Sequence, residues 1–560
     1  MKKDTRKHNF IVQGSILAIA GILCRIIGML YRLPLVDIIG TKGNGYYTSA
    51  YSIYNILLII SSYSLPTAIS RIISERLSKD RPSDARRALK VAFVYSTVIG
   101  ALMFSLMYFG SGLLAGFVRK PFLKYVLMTL APTVWIMAYL GLLRGYFQGT
   151  GNMMPTAVSQ ILEQVINAGV SLIMARLLFD YGLRANLLYG EEEYSYAFGA
   201  AGGTIGTGAG ALIALLFFII IYFLYGKDYT EEEMPEERGR RKSRRSQESY
   251  GALTVVLFST LIPILLSSFV YNVNIVLDDF IFSRLMDYFA LGAEVVLLWG
   301  IFGEFRVIYN IPVAIANSLS SSLIPSLTRA VVEKDQKLVI HKISLSIRFI
   351  MLISIPAAVG MTVLADPICR FLFPSETTGT LSRVLAVGSS AVVFYSLSTI
   401  TNGILQGMGH YNEPLINALL GLIFHVLALV GLLFLKPGIM AVIISFILMG
   451  VIVCILNNIS IKKHVRLRIN YVKTYLIPLL LSLVMGAAAF VSYRLIAGIV
   501  PESVMKGRWA TGAVLCVSIG IALIIYLVLL FLVHPFTPEE LVEMPAGRKI
   551  YALAKKCHLM

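Results

Sequence analysis

Charged residues are scarce in this 560-residue sequence: they make up 14% of the positions, against about 25% in soluble proteins. Apolar residues account for 57%, and the mean hydropathy is +0.76. This composition excludes an ordinary soluble domain and predicts an all-α polytopic membrane protein. The five cysteines show neither metal-ligand nor disulfide spacing, so neither a zinc site nor a disulfide framework is predicted.

The sequence also lacks the motifs of nucleotide and diphosphate enzymes. No G-x-x-x-x-G-K-[ST] segment occurs, so ATP hydrolysis by this chain is excluded. Gly202, Gly206 and Gly210 have no strand before them, and their four-residue spacing predicts close helix packing in lipid. Asp278 and Asp279 lack the further acids of a magnesium-dependent diphosphate enzyme. We therefore predict a protein that is not an enzyme and has no cofactor.

Acidic residues are outnumbered, because 49 basic residues face 31 acidic ones and the net charge is +18. In a soluble chain this excess would suggest nucleic acid, whereas here basic cytoplasmic loops explain it and no nucleic-acid partner is predicted. With the N-terminus inside, the predicted inner segments hold 31 Lys and Arg and the outer loops 9. The positive-inside rule therefore predicts that the N- and C-termini are both cytoplasmic.

Fourteen apolar stretches are long enough to cross a bilayer, which takes about 20 residues. The basic start, MKKDTRKHNF, precedes a run too long for a secretory signal, so the first stretch is predicted to be an uncleaved helix. The predicted spans are residues 10–33, 46–70, 89–110, 122–143, 155–179, 197–225, 253–277, 295–328, 344–364, 383–405, 414–435, 438–460, 474–497 and 510–533.

Two landmarks repeat at nearly one spacing, which predicts an internal duplication. The Gln-Gly-x-Gly turn at Gln148 returns at Gln406, each followed by a Pro that opens the next helix. Leu65-Pro66 likewise returns as Ile324-Pro325. Two six-helix lobes related by an axis along the membrane normal are expected. The predicted domains are an N-terminal lobe (1–225), a charged cytoplasmic linker (226–251), a C-terminal lobe (252–460), a two-helix appendage (461–533) and a cytoplasmic tail (534–560).

Polar residues inside spans are the candidate site residues, because a central Arg costs about 2.5–3.5 kcal/mol on insertion scales unless it faces a cavity or partner. Arg25 and Arg32 lie seven residues apart on predicted helix one and share a face. Arg306 lies deep in predicted helix eight. Arginines in corresponding helices of two lobes predict a cationic cavity that suits a diphosphate. Arg71, Glu304 and Asn310 are also assigned to this site. Three alternatives stay open: Arg32 anchors in lipid, Arg71 is an ordinary charge at the inner end of its helix, and Glu304 forms a structural ion pair.

Acidic and amide side chains supply a second group of candidates. Glu163 on predicted helix five balances the arginines, takes up a proton or pairs with another helix, and the sequence leaves all three open. A weaker set of oxygen and nitrogen ligands for a coupling cation comprises Asn272, Asn274 and Asp278 with Asn417 and His425.

Four segments together resemble the stage V sporulation protein B group, which includes the MurJ-like flippases of the multidrug/oligosaccharidyl-lipid/polysaccharide (MOP) exporter superfamily. The resemblance covers nearly the whole chain and is most specific in the first segment. The segments are LRGYFQGTGNMMPTAVSQILEQ, TSAYSIYNILLII, LPTAISRIISE and IPVAIANSLSSSLIPSLTRA.

The resemblance implies two six-helix lobes in a V, two additional helices and alternating access. It assigns essential cavity arginines to Arg25, in its Arg-x-x-Gly setting with Gly28, and to Arg306. Where related sequences carry an Arg four residues after the helix-five Glu, this chain has Asn167. No acid on predicted helix eleven matches the one that some relatives use for sodium.

The function implied is transfer of lipid II, or a similar undecaprenyl diphosphate oligosaccharide, from the inner to the outer leaflet. Membrane potential, Na⁺ or H⁺ would drive it, and membrane lipids and the cell-wall synthesis machinery would be partners of a monomer. The alternatives are a teichoic, capsular or O-antigen lipid carrier and an ion-coupled drug antiporter. A cavity for cationic drugs should be acidic, which disfavours the antiporter. Two alternatives from other classes are a membrane glycosyltransferase and a scaffold that transports nothing. The first needs acids on large outer loops and the second needs no deep charge, so the sequence disfavours both.

Overall fold

The computed structural model describes residues 17, 20–79, 81–225, 248–466, 470–501, 503 and 507–533. These residues are helical almost throughout and contain no strand, which confirms the predicted all-α class. Numbered along the chain, the helices are α1 (Ala20–Leu30), α2 (Arg32–Leu58), α3 (Leu65–Ser78), α4 (Pro82–Phe109), α5 (Ser111–Phe117), α6 (Leu123–Gly149), α7 (Met154–Tyr189), α8 (Glu193–Tyr225), α9 (Tyr250–Tyr288), α10 (Val295–Val332), α11 (Gln336–Val363), α12 (Ala365–Leu372), α13 (Thr378–Gly388), α14 (Ser390–Gly407), α15 (Asn412–Leu435), α16 (Ile439–His464), α17 (Ile477–Ile499) and α18 (Arg508–Val533).

Eleven helical stretches of the described chain are long and apolar enough to cross a membrane, or twelve if the bent pair α13 and α14 is one span. The other two predicted spans correspond to α1, which is short in the described residues, and to α9, whose side chains are described only in part. The polytopic architecture is thus confirmed, whereas the exact count of fourteen is not.

The predicted outer loop between spans one and two is wrong, because residues 34–45 are almost entirely helical. Tyr31 keeps helical dihedrals, and its N–H donates to the Ile27 carbonyl 3.1 Å away, so α1 runs nearly straight into α2. The break falls at Gly40, whose φ of 68° lies in the region that glycine adopts without strain. The chain direction therefore changes at Gly40, within the segment that the hydropathy pattern predicted to be a loop.

The chain also stays helical from α2 into α3 through a wide-turned π segment at Ile59–Tyr63. Pro66 follows, and since proline lacks an N–H it cannot complete the normal hydrogen-bond ladder, which a π turn accommodates. Ser62 in this segment donates a 2.7 Å hydrogen bond to the Met137 carbonyl of α6. The predicted span 46–70 thus extends to Ser78 with a local widening.

Glycines set the closest helix contacts in the first half of the chain. A Cβ at Gly202, Gly206 or Gly210 of α8 would overlap backbone or side-chain atoms of α7, so only glycine fits there. This confirms the predicted use of the four-residue glycine spacing for packing. On α6, Gly145 and Gly149 approach α3 in the same way. The buried helix α6 therefore packs directly against α3, α4 and α8.

The described residues cluster into two compact units, 1–300 and 301–560. In the second unit α17 and α18 pack against each other, and α17 packs against α11. The Tyr526 hydroxyl of α18 donates to the Leu352 carbonyl of α11 at 2.9 Å. The predicted domain limits stay predictions, and most of the linker (226–247) and the tail (534–560) lie outside the described residues.

Candidate functional site

Arg32 lies at the first turn of α2 in a setting of neutral polar and aromatic groups. Its Nη2 donates to Asn44 Oδ1 at 3.1 Å and to Thr48 Oγ1 at 3.4 Å. The guanidinium carbon lies 4.0 Å from the Tyr47 ring centroid, a cation–π distance. No carboxylate of the described residues pairs with it, so its positive charge is available to an anionic ligand. The assignment of Arg32 to a substrate site stays a prediction, as does the alternative that its side chain reaches the lipid interface.

A row of tyrosines continues from this arginine along α2. The Tyr31 and Tyr47 hydroxyls are 3.1 Å apart, and the Tyr47 and Tyr51 rings stack with centroids 4.4 Å apart. Tyr51 shares a short hydrogen bond with Thr207 of α8. The kink at Gly40 turns α2 back alongside the end of α1, which brings residues 31 and 47 together. The result is an aromatic wall with the Arg32 guanidinium, which pairs with no carboxylate of the described residues, at its end.

Glu163 forms an ion pair with Arg144, which the sequence analysis counted as an ordinary loop charge. The Arg144 Nη2 to Glu163 Oε2 distance is 2.7 Å, and the two side chains are only 11% and 13% exposed. Arg144 Nε also donates to Ser159 at 3.2 Å. Among the three roles predicted for Glu163, the geometry supports pairing with another helix. Arg144 and Glu163 lie on either side of the glycine turn between α6 and α7. Opposite charges on both sides of a short turn were the sequence signal that could have indicated this pair.

The two remaining arginines of the first unit differ from Arg32. Arg25 is exposed on α1 and pairs with no carboxylate of the described residues. A Cβ on Gly28, in the following turn, would lie 3.5 Å from Gln164 Oε1 of α7, which places α1 beside the Glu163 segment. Arg71 is exposed on α3. Their assignment to a substrate site stays a prediction.

The candidates on α10 belong to the second unit. Glu304 is completely buried, Arg306 is half-buried and Asn310 is exposed. The Arg306 guanidinium carbon lies 6.0 Å from the Phe302 ring centroid, at the outer limit of a cation–π contact. These residues stay predicted members of the site.

The weak cation ligands are distributed over both units. On α9, Asn272 is exposed and donates to the Ser268 carbonyl at 2.8 Å, whereas Asn274 and Asp278 are buried. In the second unit Asn417 donates to Asn457 at 2.9 Å, and the His425 Nδ1 lies 2.9 Å from the Ser445 carbonyl oxygen. Asn417 and His425 thus take part in helix-to-helix hydrogen bonds, and the cation site stays a prediction.

A buried ion pair between Lys120 and Asp279 was missed by the sequence analysis. Lys120 lies in the turn between α5 and α6, and its Nζ is 2.6 Å from Asp279 Oδ1 of α9, with the two side chains 0% and 1% exposed. It also donates to Ser49 Oγ of α2 at 2.7 Å. Burial lowers the pKa of the Lys120 ammonium from its usual value, and the charge and hydrogen bond of Asp279 oppose this shift. The adjacent acids Asp278 and Asp279 in an apolar helix were the sequence signal that could have indicated a buried ion pair.

A second missed cluster surrounds Glu248, just before α9. Its carboxylate accepts from Arg76 Nη2 at 2.6 Å and from Arg81 Nη1 at 3.2 Å, and its backbone carbonyl accepts from Arg87 at 3.0 Å. Arg76 is only 4% exposed. The end of the predicted solvated linker is therefore held against α3 and α4 by charge-assisted hydrogen bonds.

We expect Glu248→Gln to loosen this attachment, because the buried Arg76 loses its carboxylate partner. Charged hydrogen bonds contribute about 1.5–3 kcal/mol, so amide hydrogen exchange over residues 248–254 should accelerate by roughly tenfold or more. Hydrogen exchange with mass spectrometry measures this. Glu75→Gln is the matched control, since the exposed Glu75 forms its ion pair with Lys79 one helical turn away and its loss is expected to change little. Equal exchange in wild type and Glu248→Gln would contradict the assignment.

These features define a class. A helical bundle with at least eleven apolar spans in its described residues, an internal cation on an aromatic wall and buried ion pairs between helices is a polytopic membrane protein of the transporter type.

The comparisons with known proteins identify the family. The sequence model of the polysaccharide biosynthesis protein family matches residues 11–331, more than half of the chain, and the MatE model matches residues 263–430. The chain belongs to the polysaccharide biosynthesis protein family of the MOP superfamily.

Three Bacillus subtilis proteins illustrate the relationship. The uncharacterized membrane protein YabM is 27% identical over 97% of this chain and 96% of its own length. The lipid II flippase MurJ is 25% identical over 86% and 89%. Stage V sporulation protein B is 24% identical over 97% and 99%.

Among solved structures, the lipid II flippase MurJ in an inward closed conformation aligns with a TM-score of 0.63 at 16% identity, covering 92% of this chain and 98% of that one. An inward-facing MATE family multidrug transporter aligns with a TM-score of 0.59 at 15% identity, covering 78% and 94%. The fold is therefore that of the MOP transporters.

Proposed function

We propose that this protein is a flippase that moves a lipid-linked cell-wall precursor, lipid II or a similar undecaprenyl diphosphate oligosaccharide, from the inner to the outer leaflet. It would act by alternating access in a bacterial plasma membrane, with both termini in the cytoplasm. The relatives named as a lipid II flippase and as a sporulation protein, aligned over most of their length, support this assignment.

The observation that carries the proposal is the Arg32 guanidinium, which is held by Asn44, Thr48 and the Tyr47 ring but by no carboxylate of the described residues. Such a group is costly in a membrane unless an anion binds it. A guanidinium offers a rigid fork of donors that matches phosphate oxygens, so a diphosphate is a fitting ligand. The neighbouring stacked tyrosines offer flat apolar faces with hydroxyls at their edges, which suit a sugar ring.

The remaining predicted residues have supporting roles in this proposal. Arg25 and Arg306 would contact the diphosphate and the sugar headgroup, and Arg71 would extend the positive charge toward the cytoplasm. The prenyl chain would stay in the lipid, since α1 and α7 expose large apolar side chains such as Leu30 and Val165. The Glu163–Arg144 pair would hold α6 to α7 beside the site.

The proposal includes no cofactor and no catalysed reaction. The proteins named above include a lipid II flippase and a multidrug transporter, which supports translocation as the activity. Membrane potential, Na⁺ or H⁺ would supply the energy. The protein would work as a monomer beside the cell-wall synthesis machinery and membrane lipids.

The proposal predicts that removing the arginine charge stops translocation. In proteoliposomes containing headgroup-labelled lipid II, we expect Arg32→Gln, Arg25→Ala and Arg306→Ala each to lower the initial flipping rate at least about tenfold, since each weakens diphosphate binding. The rate is measured as the label becoming accessible to an impermeant quencher. Arg176→Gln is the matched control, because this exposed arginine pairs only with Asp180 on its own helix, and it should flip normally.

Normal flipping by folded Arg25→Ala and Arg306→Ala proteins would show that the arginine site is wrong. Absence of flipping by the wild-type protein, with lipid II and with teichoic, capsular and O-antigen carriers, would overturn the proposed function itself. Competition among these carriers identifies the cargo.

A second candidate, an ion-coupled drug antiporter, is favoured by the MatE match over residues 263–430. It predicts uptake of a fluorescent cationic drug into inverted vesicles under a Na⁺ or H⁺ gradient. We expect no such uptake, because the proposed site residue Arg32 is cationic and would repel the drug.

A further inference from the structure

Three metal-ligating side chains meet where three helices of the second unit end. His410 lies in the turn after α14, Glu413 in the first turn of α15, and His464 is the last residue of α16. One ligand atom from each lies within 4.8 Å of the other two. The His464 Nε2 to Glu413 Oε1 distance is 2.7 Å, and the His410 and His464 rings stack with centroids 3.6 Å apart.

We propose that His410, Glu413 and His464 bind a divalent first-row transition metal ion, with Zn²⁺ as the representative. Two imidazole nitrogens and one carboxylate oxygen form a donor set that such ions prefer, whereas Mg²⁺ and Ca²⁺ prefer oxygen ligands. Tetrahedral zinc with bonds of about 2.0–2.2 Å holds its ligand atoms about 3.3 Å apart. The three ligand atoms lie within 4.8 Å of one another, so an ion can be reached by movement of the side chains without movement of the helices.

The details of the cluster favour an ion over a simple ion pair. Glu413 Oε2 is buried without a hydrogen-bond partner in the described chain, so one carboxylate oxygen is left for a further ligand. Binding requires the stacked imidazole planes to rotate until both nitrogen lone pairs point at the ion. The His464 side chain is 23% exposed, at a helix end, and therefore has room to turn. The carboxyl end of α16 adds negative potential, although Lys462 and Lys463 beside it oppose this.

The internal repeat supplies a contrast. In the corresponding turn of the first half, Asn152 replaces His410 and Met154 replaces Glu413 as the residue before the proline. Asn152 Oδ1 there accepts from the Met154 N–H at 3.2 Å, which closes the turn locally. The second turn has a similar glycine-supported backbone, with Gly409 at φ 87° against Gly151 at φ 88°. The metal donors are therefore an addition to a turn that already closes without them.

A bound ion would fasten the turn after α14 to the end of α16, because its ligands come from both. In the proposed topology this fastening lies on the cytoplasmic side of the second unit. The metal site does not depend on the cargo, so its test is independent of the flipping assay.

The test uses the full-length protein, purified without a histidine tag in detergent, with Zn²⁺ and the spectroscopic probe Co²⁺. We expect about one Zn²⁺ per chain, competition by Zn²⁺ for a tetrahedral Co²⁺ absorption band, and no displacement by millimolar-range Mg²⁺. His410→Ala, Glu413→Gln and His464→Ala should each raise the Zn²⁺ Kd at least about tenfold, in line with the effect of disturbing metal ligation. His341→Ala, a histidine of α11 outside the cluster, is the control and should bind as wild type.

Three results would overturn the proposal: no stoichiometric binding, equal loss in His341→Ala, or full binding by all three cluster variants. Because an alanine variant can fail to fold, thermal unfolding of the wild type with and without Zn²⁺ is measured in parallel. Site-specific binding raises the wild-type Tm by linkage, and an unchanged wild-type Tm at saturating Zn²⁺ would also contradict the site.

Discussion

Methionine in place of Lys120 is expected to lower the free energy of unfolding by about 3–5 kcal/mol, the largest single-residue effect that we predict for this chain. The substitution removes a fully buried ammonium and leaves Asp279, which is 1% exposed, without its cation. It also breaks the 2.7 Å hydrogen bond to Ser49. Unfolding is measured as the midpoint of SDS or thermal denaturation of the protein in detergent.

Two further variants distinguish the loss of the ion pair from the loss of packing. Lys124→Met, four residues further on, changes an exposed lysine whose Nζ lies 4.9 Å from the Tyr125 ring centroid, and should cost less than about 1 kcal/mol. Lys120→Met with Asp279→Leu removes both charges and should recover most of the lost stability, because an unpaired buried charge is worse than none. If the double variant were as unstable as Lys120→Met, loss of packing rather than of the ion pair would be the cause.

Alanine in place of Gly300 or Gly45 is expected to separate α2 from the start of α10. A Cβ at Gly300 would overlap the Thr41 carbonyl oxygen, and a Cβ at Gly45 would overlap the carbonyl oxygen of Val296. Backbone atoms cannot rotate away, so the helices must move apart. Overpacking of this kind costs about 1–3 kcal/mol, and separation also weakens the 2.9 Å hydrogen bond from Asn44 Nδ2 to the Gly300 carbonyl.

The measurement is again the denaturation midpoint, together with the reactivity of a cysteine placed at Thr41. We expect a lower midpoint and faster labelling of Cys in the T41C background when Gly300→Ala is added. Gly169→Ala on α7 is the matched control, because a Cβ there meets nothing within 4 Å and alanine is the better helix former. An unchanged midpoint and labelling rate in Gly300→Ala would show that the close approach is not required.

Both predictions concern one region of α2. Gly45 and the Asn44 side chain contact α10, and Ser49 contacts Lys120 in the turn before α6. Asn44 also accepts from Arg32, the cation that carries the functional proposal. A change at the Gly300 carbonyl is therefore transmitted through one side chain to the candidate site, and Gly300→Ala is expected to slow flipping as well as to destabilise.

The sequence predicted the positions of the helices better than the contacts between them. The apolar runs predicted several helices to within a few residues at both ends, as in α15, α16 and α18, because hydrophobic length is a local property. The predicted loop at 34–45 was wrong because one glycine suffices to turn the chain. The glycine spacing of α8 predicted a packing face correctly, since small residues have few other uses in a membrane helix.

The candidate site was only partly accessible to the same reasoning. A charged residue inside an apolar run can be located from sequence because its cost is local. Its partner comes from another part of the chain, so Arg144 for Glu163 and Lys120 for Asp279 were counted as loop charges. Lys120 shows the reason most plainly, since a lysine outside the apolar runs becomes fully buried only when helices from distant parts of the chain pack over it.

The sequence by itself determined that this protein is a helical membrane protein and which exporter superfamily it resembles, and it predicted that its halves are duplicated. These properties depend on residue type and spacing along one chain. Tertiary structure decided which charges are neutralised and which stay available: Glu163 and Asp279 are paired, whereas Arg32 rests on amide, hydroxyl and aromatic groups. Charge pairing is a matter of a few ångströms between helices, a distance that only the packed fold sets.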